Sequence, residues 1–210
     1  MQIHFDSYSD DFKTKLQQWA PECWSELRQI LPQLPENITF HFNNQFLIES
    51  IGVGGFALSD NEIVLAAAVD KPFEELQKEL RATIFHEGYH LAQGFIGSDK
   101  DYDMTALQNG VWEGAATVFE REFAGVDHVW GKYDDEFVKL WLPQVISLGT
   151  NWHETAAKWK FWDPETNTSN ILYRLGTSIV DEAIKKSGLS ICELVDKSAQ
   201  EIIDISKVNT

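Results

Sequence analysis

The chain is poor in the residues that staple small extracellular folds and in the runs that cross membranes. Its 210 residues include two cysteines, Cys23 and Cys192, far apart in sequence. That excludes a disulfide framework and a thiolate metal motif. No apolar run approaches the roughly 20 residues of a membrane helix, so no membrane partner is expected. The opening MQIHFDSYSDDFK lacks the basic-then-apolar order of a secretory leader. Free thiols in a reducing cytoplasm are the expectation. Basic residues are scarce as well, with 17 Lys and Arg against 33 Asp and Glu, for a formal net charge of −16. A chain without a basic stripe has little with which to displace counterions from a phosphate backbone, so no nucleic-acid partner is expected. The acidity serves solubility or, alternatively, a preference for cationic peptides.

Repeats, low-complexity tracts and Gly/Ser linkers are also missing, so residues 1–210 read as a single domain with a sizeable core. Residues 10–32 carry Phe12, Leu16, Trp19, Trp24, Leu27 and Ile30 at helical spacing. Pro21 predicts a kink there, or two shorter helices. In NITFHFNN, Ile38, Phe40 and Phe42 alternate with polar residues as in a half-buried strand. Residues 51–69 read as two strands around a Ser59-Asp60-Asn61 turn. The GVGG within them lacks the Lys-Ser/Thr of a phosphate loop and fits a bend or bulge better. From Asp70 onward the patterns are helical: from Pro72 to about Gln93 with Gly94 as terminator, about 104–124 ending at Gly125, and 169–187 before a Lys-Ser-Gly stop. Ser190 and Glu193 form a capping box for one more helix. The order of helix, small sheet and many helices predicts an α+β fold. The tryptophan-rich stretch 126–165 gives no clear periodicity.

The stretch ATIFHEGYHLAQGF, residues 82–95, carries the chemistry. On a helix advancing about 100° per residue, His86 and His90 lie about 40° apart and one turn apart along the axis. Two imidazoles so placed can converge on one zinc ion. Glu87 borders that face without sharing its centre, which suits a base rather than a ligand. Leu76, Leu80, Ile84 and Leu91 form an aliphatic stripe on the other flank. Gly88 falls on this packing side, where it would let a neighbouring backbone approach closely without touching the ligand face.

A catalytic zinc site needs a third protein ligand and one open position. Glu113, in QNGVWEGAATVFEREF, is the best candidate: the 22 residues separating it from His90 allow a loop through GSDKDYD and an antiparallel return. Glu120 lies two turns further on the same face; it orients a ligand, or else meets solvent or an ion pair. The competing reading is a pair of histidines satisfied by ordinary hydrogen bonds. A short motif such as H-E-x-x-H recurs by chance in about one of a hundred or more chains, so the downstream Glu-Gly-Ala weighs heavily. A di-iron bundle is disfavoured, because Glu87-x-x-His90 has no second Glu-x-x-His to match it.

HEGYH followed by WEGAA resembles the glutamate-type zincins (gluzincins), and specifically the YjaZ-like predicted zinc-dependent proteases of bacteria. YRLGTSIVDEAIKKSGLSICELV, residues 173–195, is similar to the C-terminal Tyr-x-x-Gly helix and short capped helix of that family. The resemblance spans about residues 36–205. It implies a zincin-like fold, with a small N-terminal mixed sheet packed on a mainly helical body and the HExxH helix central. It also implies one Zn2+ per chain held by His86, His90 and Glu113, with Glu87 as base. A strand from residues 50–66 would line the cleft and bind extended peptide by edge addition. Position 117 is Thr, so there is no Glu-x-x-x-Asp pattern at Glu113, and the group orienting the histidines must come from elsewhere. For the oxyanion donor, Tyr173 stands at the start of the family-like helix, with Arg174 and His153 as competitors. The expected activity is hydrolysis of peptide bonds. The rival is a catalytically silent binding module whose cleft is lined by Trp130, Trp141, Trp152, Trp159 and Trp162, residues for which core packing is the ordinary use.

Overall fold

The computed structural model describes residues 1–97, 104–151 and 153–207. The loop expected at 98–103 and Trp152 lie outside the described residues. Contacts between Cα atoms divide the chain into two units. One is Met1–Gly97 with Phe123–Val126; the other comprises the described residues within 98–122 and 127–210.

The first unit opens with β1 (Gln2–Phe5), a strand missed in the sequence reading because four residues carry too little periodicity. Helix α1 (Asp10–Ile30) follows, capped where the Ser9 side chain accepts from the Phe12 N–H. It runs unbroken through Pro21, so the expected split does not occur. Burial of Phe12, Leu16, Trp24 and Leu27 on one side outweighs the single backbone bond lost at proline. Strands β2 (Thr39–Phe42), β3 (Val53–Ser59) and β4 (Glu62–Ala67) complete a mixed sheet of order β1-β2-β4-β3. β1 and β4 both run parallel to β2, whereas β3 returns antiparallel to β4 with a register shift between Ala57 and Ser59. This irregularity lies beyond GVGG, where the sequence suggested a bend or bulge.

Helix α2 (Phe73–Gln93) packs on β3 and α1. Leu76, Leu80 and Ile84 are fully buried as their stripe predicts, while Leu91 is only half-buried. Each buried side chain of this size contributes about 1.5–3 kcal/mol. Gly88 does face the packing side, although its neighbours are side chains and not backbone. A Cβ there would collide with Leu27 Cδ2 and stand 3.6 Å from Trp24 Cζ3, both on α1.

The second unit is mainly helical. It holds α3 (Ala106–Phe119), a π-helical turn (Glu120–Ala124, of which the last two residues belong to the first unit), a 3-10 turn (Val129–Gly131) and α4 (Asp135–Leu148). Then come α5 (His153–Lys160), the small hairpin β5 (Trp162–Asp163) and β6 (Thr168–Ser169), α6 (Ile171–Ser187), α7 (Ile191–Leu194) and α8 (Ala199–Ser206). The capping box of Ser190 and Glu193 forms as expected. Helices α3 and α6 touch backbone to backbone. A Cβ on Gly114 would strike the Gly176 carbonyl carbon and the Thr177 nitrogen, and one on Gly176 would strike the Gly110 carbonyl oxygen. The chain is therefore α+β, with a four-stranded mixed sheet near its N-terminus and helices after it. Among the described residues no helix is long and apolar enough to cross a membrane.

Two outcomes follow from this packing. Gly114→Ala should destabilise the protein by about 3 kcal/mol or more in urea unfolding, because backbone cannot yield as a side chain can. Burial pushes the Cys23 thiol up to about 12, far above its ordinary value, so it stays neutral and unreactive at mildly alkaline pH. Native protein treated with an alkylating reagent near pH 8 should be labelled at half-buried Cys192 alone, and at both cysteines once unfolded.

Candidate metal centre

His86 and His90 occupy the last turns of α2, and both are buried. The end of that helix is closed firmly. Gly94 adopts a left-handed φ of 70°, its N–H donates to Leu91 O at 3.0 Å, and the Phe95 N–H donates to His90 O at 2.9 Å. This is the closure expected of a glycine-terminated helix. It holds the His90 backbone, while the Phe95 ring lies 5.0 Å from the His90 ring, centroid to centroid. The His86 and His90 rings are nearly perpendicular, at 82°, and their Nε2 atoms are 3.2 Å apart.

That separation tests the fit of a metal ion. Two nitrogens each about 2.0–2.1 Å from a tetrahedral zinc ion stand about 3.3 Å from each other. The histidine pair already has that spacing.

Glu113 sits in α3, a helix started by a capping box in which the Thr105 side chain accepts from the Gln108 N–H and the Gln108 side chain accepts from the Thr105 N–H. Its carboxylate is buried, and one ligand atom from each of His86, His90 and Glu113 lies within 4.8 Å of the others. No other group of three or more His, Cys, Asp or Glu among the described residues meets this condition. Two imidazoles and one carboxylate are a donor set suited to zinc with a position left open.

Glu87 is buried on α2 beside the histidines. Thr117, where a second carboxylate was sought, donates its hydroxyl to the Glu113 carbonyl at 2.9 Å. Glu120 does not meet solvent. It is buried, with Oε1 3.1 Å from His128 Nε2 in an ion-pair arrangement, and the His128 ring stacks on Trp130 at 3.8 Å.

Tyr173 is half-buried in the first turn of α6. Arg174 has a structural assignment: Nε donates to Lys132 O at 2.6 Å and the guanidinium lies 3.5 Å from the Phe137 ring centroid. His153 opens α5, where its side chain is outside the description. The tryptophans do not share one environment. Trp141 is buried and meets Trp159 edge to face at 5.4 Å, whereas Trp162 is exposed on its hairpin.

One residue at the cluster escaped the sequence reading. Lys160, the last residue of α5, places Nζ 3.1 Å from Glu113 Oε1. A lysine 47 positions from its partner carries no motif, so only the fold reveals it.

A family model described as "Predicted Zn-dependent protease (DUF2268)" matches residues 18–204. No curated protein matches the chain at a significant level.

Proposed function

Since the chain belongs to this family of predicted zinc-dependent proteases, we propose that it is a zinc-dependent peptidase acting as one metallopeptidase domain in the cytoplasm, with one Zn2+ per chain. The observation that carries the reading is the convergence of three buried donors, with the two imidazole nitrogens at the edge length of a zinc tetrahedron. In this reading His86, His90 and Glu113 hold the ion. When bound, zinc supplies a Lewis acid that polarises a carbonyl and makes water acidic.

The remaining work falls to the chain's own groups. Glu87 takes a proton from water as its oxygen bonds to the scissile carbonyl carbon. The same carboxyl then gives that proton to the amide nitrogen as the C–N bond breaks, leaving a free amine and a carboxylic acid, whose remaining proton passes to the amine or to water. Tyr173 donates a hydrogen bond to the carbonyl oxygen as it gains charge.

Substrate is an extended peptide added to the edge of β3, one of the two terminal strands of the sheet. Ala68 N donates to Gly52 O, so in alternating antiparallel pairing the backbone groups of Val53, Gly55 and Ala57 face away from β4. Val53 O already accepts from Ile48 N, and Ala57 O from Gly97 N, each at 3.1 Å. Among the described residues no backbone bond to Gly55 is made between them. A Cβ on it would meet Thr83 Cγ2 at 2.9 Å, one turn before Glu87 on α2. A peptide at this edge is therefore held over a short span beside the base.

Purified protein should contain about one zinc per chain by elemental analysis, and His86→Ala should lose it. Glu87→Gln should keep the metal while cleavage of a peptide library falls by about 100-fold or more. Wild type with no more metal than His86→Ala would refute the site. A zinc-loaded protein that yields no chelator-sensitive product would instead be a binding module. Tyr173→Phe should retain zinc and lower kcat by about 100-fold; a change of less than about tenfold would remove Tyr173 from that role.

A further inference from the structure

Lys160 is absent from the mechanism above, yet its ammonium lies 3.1 Å from Glu113 Oε1, with the two side chains only 17% and 8% exposed. We propose that Lys160 is a positioning residue for the metal centre: it holds one oxygen of Glu113, so that an incoming zinc ion meets a carboxylate already fixed in place. The inference rests on the assignment of Glu113 as a zinc ligand.

Both ends of the pair hang from one frame. The Lys160 carbonyl accepts from Asn170 Nδ2 at 3.1 Å, and the Phe161 carbonyl accepts from the Asn170 N–H at 3.0 Å. Asn170 is itself in the left-handed conformation, with φ 55°, immediately before α6. The hairpin between Phe161 and Asn170 is closed by buried Asp163, which accepts from Glu165 N at 3.1 Å and from Thr166 Oγ1 at 2.8 Å. From Asn170 the frame continues through α6, whose backbone touches that of α3 at Gly110 and Gly114, the glycines flanking Glu113. Lysine and glutamate are thus tied together through the helices as well as through their own ion pair.

The nearby Lys158 provides a contrast. It pairs with Glu165 at 2.9 Å on the surface, where such a contact is screened and contributes little. Lys160 meets a carboxylate withdrawn from water, where a charge-assisted bond is stronger and its loss matters more.

Two effects of the ammonium oppose each other. It repels an incoming dication, and it orders the carboxylate that must receive the ion. Groups that orient a ligand from behind are typically needed for tight metal binding, with about 10–100-fold weakening when they are removed. Ordering therefore outweighs repulsion here.

The test is a zinc titration of the full chain against a chromophoric chelator, near neutral pH. It compares wild type with Lys160→Met, Lys160→Arg, Glu113→Gln and the Lys160→Met/Glu113→Gln double variant. Lys160→Met should weaken zinc binding by about 10–100-fold, and Lys160→Arg should retain most of the affinity. In the Glu113→Gln background, Lys160→Met should change nothing further, an interaction that a merely structural role would not produce. Thermal unfolding of the metal-free variants establishes that each is folded; if Lys160→Met is not, Lys160→Gln takes its place with the same expectation. Equal or tighter zinc binding by Lys160→Met overturns the inference, as does a loss that persists in the Glu113→Gln background. A wild type that binds no zinc overturns the metal site itself, and this inference with it.

Discussion

Two imidazoles and a carboxylate cannot be withdrawn from water without compensation, because polar and charged groups lose solvation that only hydrogen bonds or opposite charge can replace. His86, His90 and Glu113 are all buried, and this cost constrains what surrounds them. The end of α2 is closed by backbone bonds at His90 and Leu91. Glu113 meets Lys160, and in the π-helical turn after α3 Glu120 meets His128. A buried cluster of two imidazoles and a carboxylate is consistent with a zinc site.

Helix packing makes that arrangement possible. On α2 the buried stripe of Leu76, Leu80 and Ile84, together with Gly88 against Leu27, fixes the rotation of the helix and so the direction of the imidazoles. On α3 the same work is done by Gly110 and Gly114, which let α6 approach until backbones touch. Each side chain of the His-His-Glu cluster stands within a turn of a glycine that permits the close contact. Removing a side chain on one face is how both helices keep a clustered side chain aimed on another.

Much of this was legible in the sequence, and for identifiable reasons. Strong periodicity and caps marked α1, α2, α6 and α7, since Gly94, Gly188 and the Ser190/Glu193 box act locally. HEGYH marked a ligand face because two residues four apart must share one. Glu113 was reachable by counting a helix and a return. What stayed hidden depends on tertiary contact. β1 is four residues long, and it forms only because β2 lies beside it. The continuity of α1 through Pro21 follows from buried Phe12, Leu16, Trp24 and Leu27, which local propensity ignores. The stretch 126–165 read as noise because Trp141 and Trp159 pack while Trp162 is exposed, which mixes two environments in one window. Lys160 has meaning only through a partner 47 residues away.

One side of the sheet ends in β3, and a terminal strand is a hazard, because its unpaired backbone groups can template a second chain into a growing ribbon. Here Ile48 covers one end of that edge and Gly97 the other, leaving the stretch around Gly55. So brief an opening is too short to recruit another copy of the strand along its length. The same two backbone bonds that narrow this edge also guard it against strand-to-strand aggregation.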